Sequence, residues 1–168
     1  MPLLIQQNTD GSNFFNRSWA EFKVGFSDRR GNYWLGNDLL HQITKNTRYK
    51  LRFDLQARSN LTWYYSEYSS FVVSSEASNY RIGVSGYSGN APEVFTYHDG
   101  AIFSTYDRDN DQTDKHCALN VYQGGFWYKA CARCGINGVR SPTKNTFYVH
   151  TPETGILYLE TSRMWLTC

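Results

Sequence analysis

Residues able to hold a metal are crowded into one stretch, Phe103–Ala118, which reads FSTYDRDNDQTDKHCA. Four aspartates fall there, Asp107, Asp109, Asp111 and Asp114, in a chain of 15 acidic and 17 basic residues with a formal net charge of +2. The alternation Asp107-x-Asp109-x-Asp111 puts carboxylates on one side of a turn. Hard cations such as calcium gather roughly six to eight oxygen ligands from carboxylates, backbone carbonyls and water, so the spacing suits calcium. It is not an EF-hand loop: Gln112 stands at the sixth position where glycine is needed, and Ala118 at the twelfth where glutamate is needed. The plainer alternative is a solvated polar turn, because Asp and Asn favour turns by bonding to their own backbone.

The second group is four cysteines, Cys117, Cys131, Cys134 and Cys168, all in the C-terminal third. They suit either disulfides or a metal. The pair Cys131-x-x-Cys134, with His116 and Cys117, could make a zinc tetrad. Two sequons, at Asn16 (NRS) and Asn60 (NLT), point instead to a glycosylated chain in an oxidising, extracellular compartment. No catalytic constellation stands out. There is no GxSxG, HExxH or P-loop, and His41, His98, His116 and His150 are scattered, so an enzyme is not expected.

The elements that position these residues follow from composition and periodicity. The 168 residues suit one domain, and 17% aromatic content with 40% hydrophobic residues argues against disorder. The small net charge and the lack of a Lys/Arg stripe argue against a nucleic-acid partner. No apolar run approaches the roughly 18 residues that span a bilayer, so membrane insertion is not expected. The opening MPLLIQQNTD lacks a basic n-region and is not read as a signal peptide. Tyr49–Ala57 alternates apolar and polar residues, as a half-buried strand does, and Trp63–Ser74 and Tyr80–Tyr87 read as further strands. Asn16–Phe26 predicts a short helix capped by Asn16 or Ser18, with Trp19 and Phe22 inward and Gly25 as its stop. Trp34–Thr44 predicts a second, capped by Asn37, with Leu40 and Ile43 on one side. From Gly89 to Gly155 the pattern decays into Gly, Asn, Asp and Thr. A loop-rich region of that length needs something to hold it, and the aspartates and cysteines lie inside it.

The segments DGSNFFNRSWAEFKVGF, YWLGNDLLHQIT, YKLRFDL, HDGAIFSTYDRDND, CALNVYQGGFWYKAC and INGV, in that order, resemble the fibrinogen C-terminal domain family, which includes ficolins, tachylectins, angiopoietins and tenascins. The resemblance runs from about Asp10 to Met164. It implies an extracellular α+β domain with a central antiparallel sheet over about residues 1–88 and 156–168. It implies a loop-rich calcium and ligand subdomain over about 89–155, with the family's N-terminal disulfide subdomain missing. It also implies calcium held by the side chains of Asp109 and Asp111 and the backbone carbonyls of Thr113 and Lys115.

The same resemblance implies a disulfide between Cys117 and Cys131, whose loop of about 15 residues would contribute roughly 3 kcal/mol in the chain-entropy model. It implies a cis peptide at Ala130–Cys131 that turns the N–H groups of Cys131 and Ala132 toward a ligand's acetyl carbonyl, with Tyr122 as an aromatic wall. Here the chain departs from the family. Ala132 stands in place of the usual histidine, and Pro152 and Glu153 stand in place of a tyrosine. With Glu153 near, the cleft is expected to favour neutral or cationic groups over anions. Cys134 and Cys168 have no family counterpart and either pair with each other or stay free. The implied function is a secreted, calcium-dependent, lectin-like recognition domain of the innate-immune type, binding acetylated sugars or similar small groups on glycans. The alternative is an extracellular protein-binding module, with oligomers formed through other parts of a parent protein.

Overall fold

The computed structural model describes Met1–Cys168. Its frame is an antiparallel sheet in which the last long strand lies in the middle. β1 (Leu3–Asn8), β2 (Phe26–Ser27), β3 (Tyr33–Trp34), β4 (Tyr49–Ala57), β5 (Trp63–Val73), β6 (Ile82–Gly89) and β10 (Gly155–Thr167) are ordered β2-β3-β1-β10-β4-β5-β6. β9 (Tyr148–Thr151) pairs with the opening residues of β10. A separate two-stranded ladder joins β7 (Ile102–Ser104) to β8 (Phe126–Tyr128).

The alternation read from the sequence of β4 is the alternation of the sheet. Leu51, Phe53, Leu55 and Ala57 are buried on one face, while Arg52, Asp54 and Gln56 point to the other. Across the ladder, Leu166, Met164 and Ser162 of β10 face Leu51, Phe53 and Leu55. The register slips between Leu159 and Thr161, a bulge that separates the part of β10 serving β4 from the part serving β9.

Two short helices cover the buried face. α1 is Trp19–Val24. Ser18, not Asn16, is its N-cap, in a capping box where Ser18 Oγ accepts from Glu21 N–H and the Glu21 carboxylate accepts from Ser18 N–H. Gly25 ends it at φ 93°, a conformation costly for any residue with a Cβ. Trp19 and Phe22 are buried as expected. α2 is Asn37–Thr44, and its N-cap is Gly36. Asn37 does not cap it, because its side-chain oxygen accepts instead from the Trp34 indole N–H at 3.0 Å.

One aromatic core runs from the sheet into the loop-rich segment. Trp127 of β8 lies 5.7 Å from Trp34 and 5.1 Å from Phe103, ring centre to ring centre, and its indole N–H donates to the Tyr80 carbonyl. Phe22 packs so closely on Gly125 that an added Cβ would stand 2.5 Å from its ring. No helix is long and apolar enough to cross a membrane.

Candidate recognition site beside the aspartate loop

The four aspartates are not equivalent. Asp107 serves the fold: its Oδ1 accepts from Trp19 N–H at 2.9 Å and from Thr105 Oγ–H at 2.7 Å, which ties the loop to the start of α1. Burial pushes its pKa up, but those hydrogen bonds outweigh it and hold the carboxyl below the usual range. Asn110 adds a second anchor, donating to Ser104 Oγ and the Phe103 carbonyl. Asp114 is exposed.

Asp109 and Asp111 are the pair left facing one another across the turn. Asp109 Oδ1 accepts from the Asp111 N–H, and Asp111 accepts from Thr113 N–H through Oδ1 and from Cys117 N–H through Oδ2 at 2.7 Å. Burial raises the Asp111 pKa; the Cys117 and Thr113 N–H groups pull it back, and neighbouring Asp109 pushes it up again. Two carboxylates held this close favour a cation between them. The backbone oxygens fit the same donor set. No donor takes the Thr113 carbonyl, and the Lys115 carbonyl receives only the Asn120 side chain, which leaves a second lone pair. No group of three or more His, Cys, Asp or Glu side chains converges anywhere, so a cation here would take backbone and water oxygens as well. That excludes the zinc tetrad, as does the bridge between Cys117 and Cys131, whose Cα atoms are 5.4 Å apart.

Cys134 and Cys168 are free thiols, not a second bridge. Cys134 is buried beside Val149, which pairs with Leu157 at the start of β10, whereas Cys168 follows the far end of that strand, on the order of 30 Å away at about 3.3 Å per residue. Burial pushes the Cys134 thiol up to about 12, so it stays protonated.

Three connections bind the aspartate loop to the segment Lys129–Arg133. They are the Cys117–Cys131 bridge, the hydrogen bond from Gln112 N–H to the Lys129 carbonyl at 3.0 Å, and the β7–β8 ladder beneath both. All peptide bonds are trans, so the cis bond expected at Ala130–Cys131 is absent. The chain reverses differently: the Lys129 N–H donates to the Cys131 carbonyl at 2.8 Å, and Cys131 takes a left-handed φ of 24°. The Cys131 and Ala132 N–H groups, both half-buried, donate to no backbone or side-chain acceptor.

Tyr122 is not an open wall. It is 1% exposed, stacks on Tyr128 at 5.2 Å, and donates its hydroxyl to the Ala132 carbonyl at 3.0 Å while sharing a bond with the Tyr148 hydroxyl. A ring this enclosed offers no face to a ligand. It positions Ala132 from below. Glu153 is exposed in the turn between β9 and β10 and forms no ion pair. The three surface cavities, of about 560, 340 and 380 Å³, include none of Tyr122, Cys131, Ala132 or Glu153 in their walls. Asn16 and Asn60 are both exposed, Asn16 at the edge of the largest cavity.

Three residues that sequence reasoning passed over, Tyr97, Lys129 and Arg133, come together at the ends of the segment Lys129–Arg133. The half-buried Tyr97 ring has the Arg133 guanidinium at 4.7 Å and the Lys129 ammonium at 5.8 Å. Neither cation has a carboxylate within salt-bridge distance. His98 lies fully buried beneath, its Nδ1–H donating to the Trp127 carbonyl at 2.7 Å and its Nε2 accepting from Arg133 N–H at 3.2 Å. Burial, and then the nearby Lys129 and Arg133, lower its pKa to about 4, so it is neutral at pH 7. The alternation Lys129-Ala-Cys131-Ala-Arg133 was visible in the sequence, but its aromatic partner, distant in sequence, was not.

The comparisons with known proteins concern the family and the fold. Residues 2–166 match the model of the C-terminal globular domain of fibrinogen beta and gamma chains. The chain is 40% identical to Protein scabrous of Drosophila melanogaster over 134 residues, 80% of this chain and 16% of that protein. It spans a small part of the curated relative it matches. The fibrinogen-like globe domain of human ANGPTL2 superposes with a TM-score of 0.87 at 34% identity, covering 99% of this chain and 79% of that one. The lamprey fibrin D-dimer, solved with the peptide ligand Gly-His-Arg-Pro-amide, superposes with a TM-score of 0.80 at 28% identity, covering 97% of this chain and 60% of that one.

Proposed function

Because this chain belongs to the fibrinogen C-terminal globular domain family, we propose that it is a secreted, calcium-dependent recognition domain of the lectin type that takes an acetylated saccharide at the Cys131 and Ala132 N–H groups. It is read as a binding module and not as an enzyme. The observation that carries the reading is the pair of unspent donors at Cys131 and Ala132, bonded through Cys117–Cys131 and Gln112–Lys129 to a loop whose paired carboxylates favour a cation. Two adjacent N–H groups fixed in advance suit one carbonyl or carboxylate oxygen, and fixing them beforehand lowers the entropy cost of binding. Calcium, held by Asp109, Asp111 and the carbonyls of Thr113 and Lys115, would supply charge neutralisation to the loop. Within the chain, Asp111 holds the Cys117 N–H, the bridge holds Cys131, and Tyr122 and His98 bond the carbonyl and the N–H of the Ala132–Arg133 peptide.

A second reading, an extracellular protein-binding module, draws support from the burial of Tyr122, which removes the aromatic wall a sugar would stack on. The peptide seated on the lamprey relative is consistent with it. A glycan array probed in calcium and again in chelator separates the two. Calcium-dependent retention of N-acetylated glycans supports the lectin reading. No retention in either buffer rejects it in favour of a protein partner.

A further inference from the structure

We infer that the largest surface cavity, of about 560 Å³, is the seat of the chain's own glycan: the first N-acetylglucosamine on Asn16 folds back into it and does not stand free in solvent. This rests on the secreted part of the proposed function and not on its calcium or lectin part. Asn16 opens the triplet Asn16-Arg17-Ser18, an acceptor for N-glycosylation on the secretory route. In that step the Asn16 side-chain nitrogen replaces the pyrophosphate at C1 of a lipid-pyrophosphate-linked oligosaccharide. The C1–N bond forms, the C1–O bond breaks, and one N–H proton leaves with the lipid pyrophosphate.

Four observations lead there. The cavity lies between the turn Asn13–Phe15, the start of α1 and the turn that joins β2 to β3, and Asn16 stands in its wall. Asn16 is exposed and its side chain bonds to nothing in the chain, so the nitrogen that carries the sugar is free to aim it. Asn13 and Arg29, in the same wall, are likewise exposed and their side chains unpaired, whereas Arg17 is held by Glu21 and Arg30 by Asp10. The second sequon gives the contrast: Asn60 spends its side-chain oxygen on the Thr62 N–H at 3.0 Å and lines no cavity.

The wall suits a neutral sugar better than an ion. Arg17, Arg29 and Arg30 stand there with the carboxylates of Glu21 and Asp28, so an ion of either sign meets repulsion as well as attraction. Phe14 is the one hydrophobic residue among the nine in the wall. Amide and guanidinium donors and carboxylate acceptors match the hydroxyls of a sugar, and the small exposed part of the Phe14 ring meets the acetyl methyl. Contacts of this kind hold a free ligand weakly. Attached at Asn16, the sugar meets them at an effective concentration on the order of millimolar, so weak contacts suffice. Seated there, it joins the start of α1 to the turn between β2 and β3.

The whole chain, secreted from eukaryotic cells with high-mannose glycans and trimmed enzymatically to one N-acetylglucosamine per site, tests this. Glycopeptide mapping should find Asn16 occupied. With the sugar labelled in its acetyl methyl, the Asn16 methyl signal should be displaced from the free-sugar position by the Phe14 ring, and the Asn60 signal should not. In urea, removing the Asn16 sugar by Asn16→Gln should lower the folded-to-unfolded ratio by about fivefold or more. Removing the Asn60 sugar by Thr62→Ala, which keeps the Asn60 hydrogen bond, should leave the ratio unchanged. Arg29→Ala should lower it in the chain that carries the Asn16 sugar and do nothing in the Asn16→Gln background, because Arg29 has no other partner. A methyl at the free-sugar position, or equal effects of Arg29→Ala in both backgrounds, overturns the inference and leaves the secreted reading in place. A bare Asn16 beside an occupied Asn60 overturns it in the same way. Both sequons bare overturns it together with the secreted, glycosylated reading.

Discussion

Asp111 Oδ2 accepts the Cys117 N–H at 2.7 Å, and Cys117 is bridged to Cys131, so one hydrogen bond and one disulfide link a carboxylate of the aspartate loop to the Cys131 backbone. An ion bound in the loop is expected to act on the donors through that path. Calcium should therefore raise both stability and ligand affinity. A ligand at 100 times its Kd stabilises by about 2.7 kcal/mol. The melting temperature is expected to rise with calcium and fall with chelator. Asp109→Asn plus Asp111→Asn should abolish the response, whereas Asp107→Asn should lower the baseline and leave the response in place. A calcium response that survives the double variant would put the cation elsewhere.

The role of Tyr122 is testable by one atom. Tyr122→Phe keeps the ring against Tyr128 and deletes the hydroxyl that binds the Ala132 carbonyl. Losing that bond should cost about 1 kcal/mol in denaturant unfolding. Ligand affinity should fall too, although the ring never touches the ligand. Unchanged stability and affinity would show that Ala132 is held without it.

How far the sequence carried can be judged residue by residue. α1 was legible because its signals are local: Ser18 and Glu21 form a capping box within one turn, and Gly25 follows. Asn37 misled because the competitor for its side chain, the Trp34 indole, needed a known fold of the preceding turn. Tyr122 was assigned to the right neighbourhood and the wrong depth. Nothing in YQGG distinguishes a tyrosine packed against Tyr148 from one facing solvent, because the covering strand β9 arrives from far along the chain. The Asp109–Asp111 spacing was visible at once, whereas Tyr97 is distant in sequence from Lys129 and Arg133 and meets them only in the fold, where its neighbour His98 is hydrogen-bonded to Trp127 and Arg133.

His98 sets an acid limit. Its pKa falls from 6.5 to about 4 on folding, so between those values the unfolded chain binds a proton that the folded one refuses. Stability from this residue is complete above pH 6.5 and is lost as pH drops toward 4, up to about 3 kcal/mol at 1.36 kcal/mol per unit. Urea unfolding at pH 7, 6, 5 and 4 should show the decline. His98→Gln should be less stable at pH 7 and flatter through this window; a decline equally steep in the variant would assign it to other groups.

The bridge and the thiols separate cleanly by chemistry. Peptide mapping without reductant should recover Cys117 linked to Cys131 and leave Cys134 and Cys168 unlinked within the chain. Replacing both bridged cysteines with serine should cost about 3 kcal/mol, the chain-entropy value for a loop near 15 residues. Alkylation of the native protein should label exposed Cys168 and spare buried Cys134. Recovery of a Cys134–Cys168 peptide would contradict the register of β10.

The central claim is that the Cys131 and Ala132 N–H groups are the ligand's donors and that the calcium loop holds them. Backbone amide NMR of labelled protein, titrated with N-acetylglucosamine and with its 6-sulfate, tests this most directly. In calcium, the Cys131 and Ala132 amide signals should shift most on addition of the sugar, and the shifts should vanish when chelator is added. Saturable shifts confined to another surface, or shifts at Cys131 and Ala132 that persist unchanged in chelator, would contradict it.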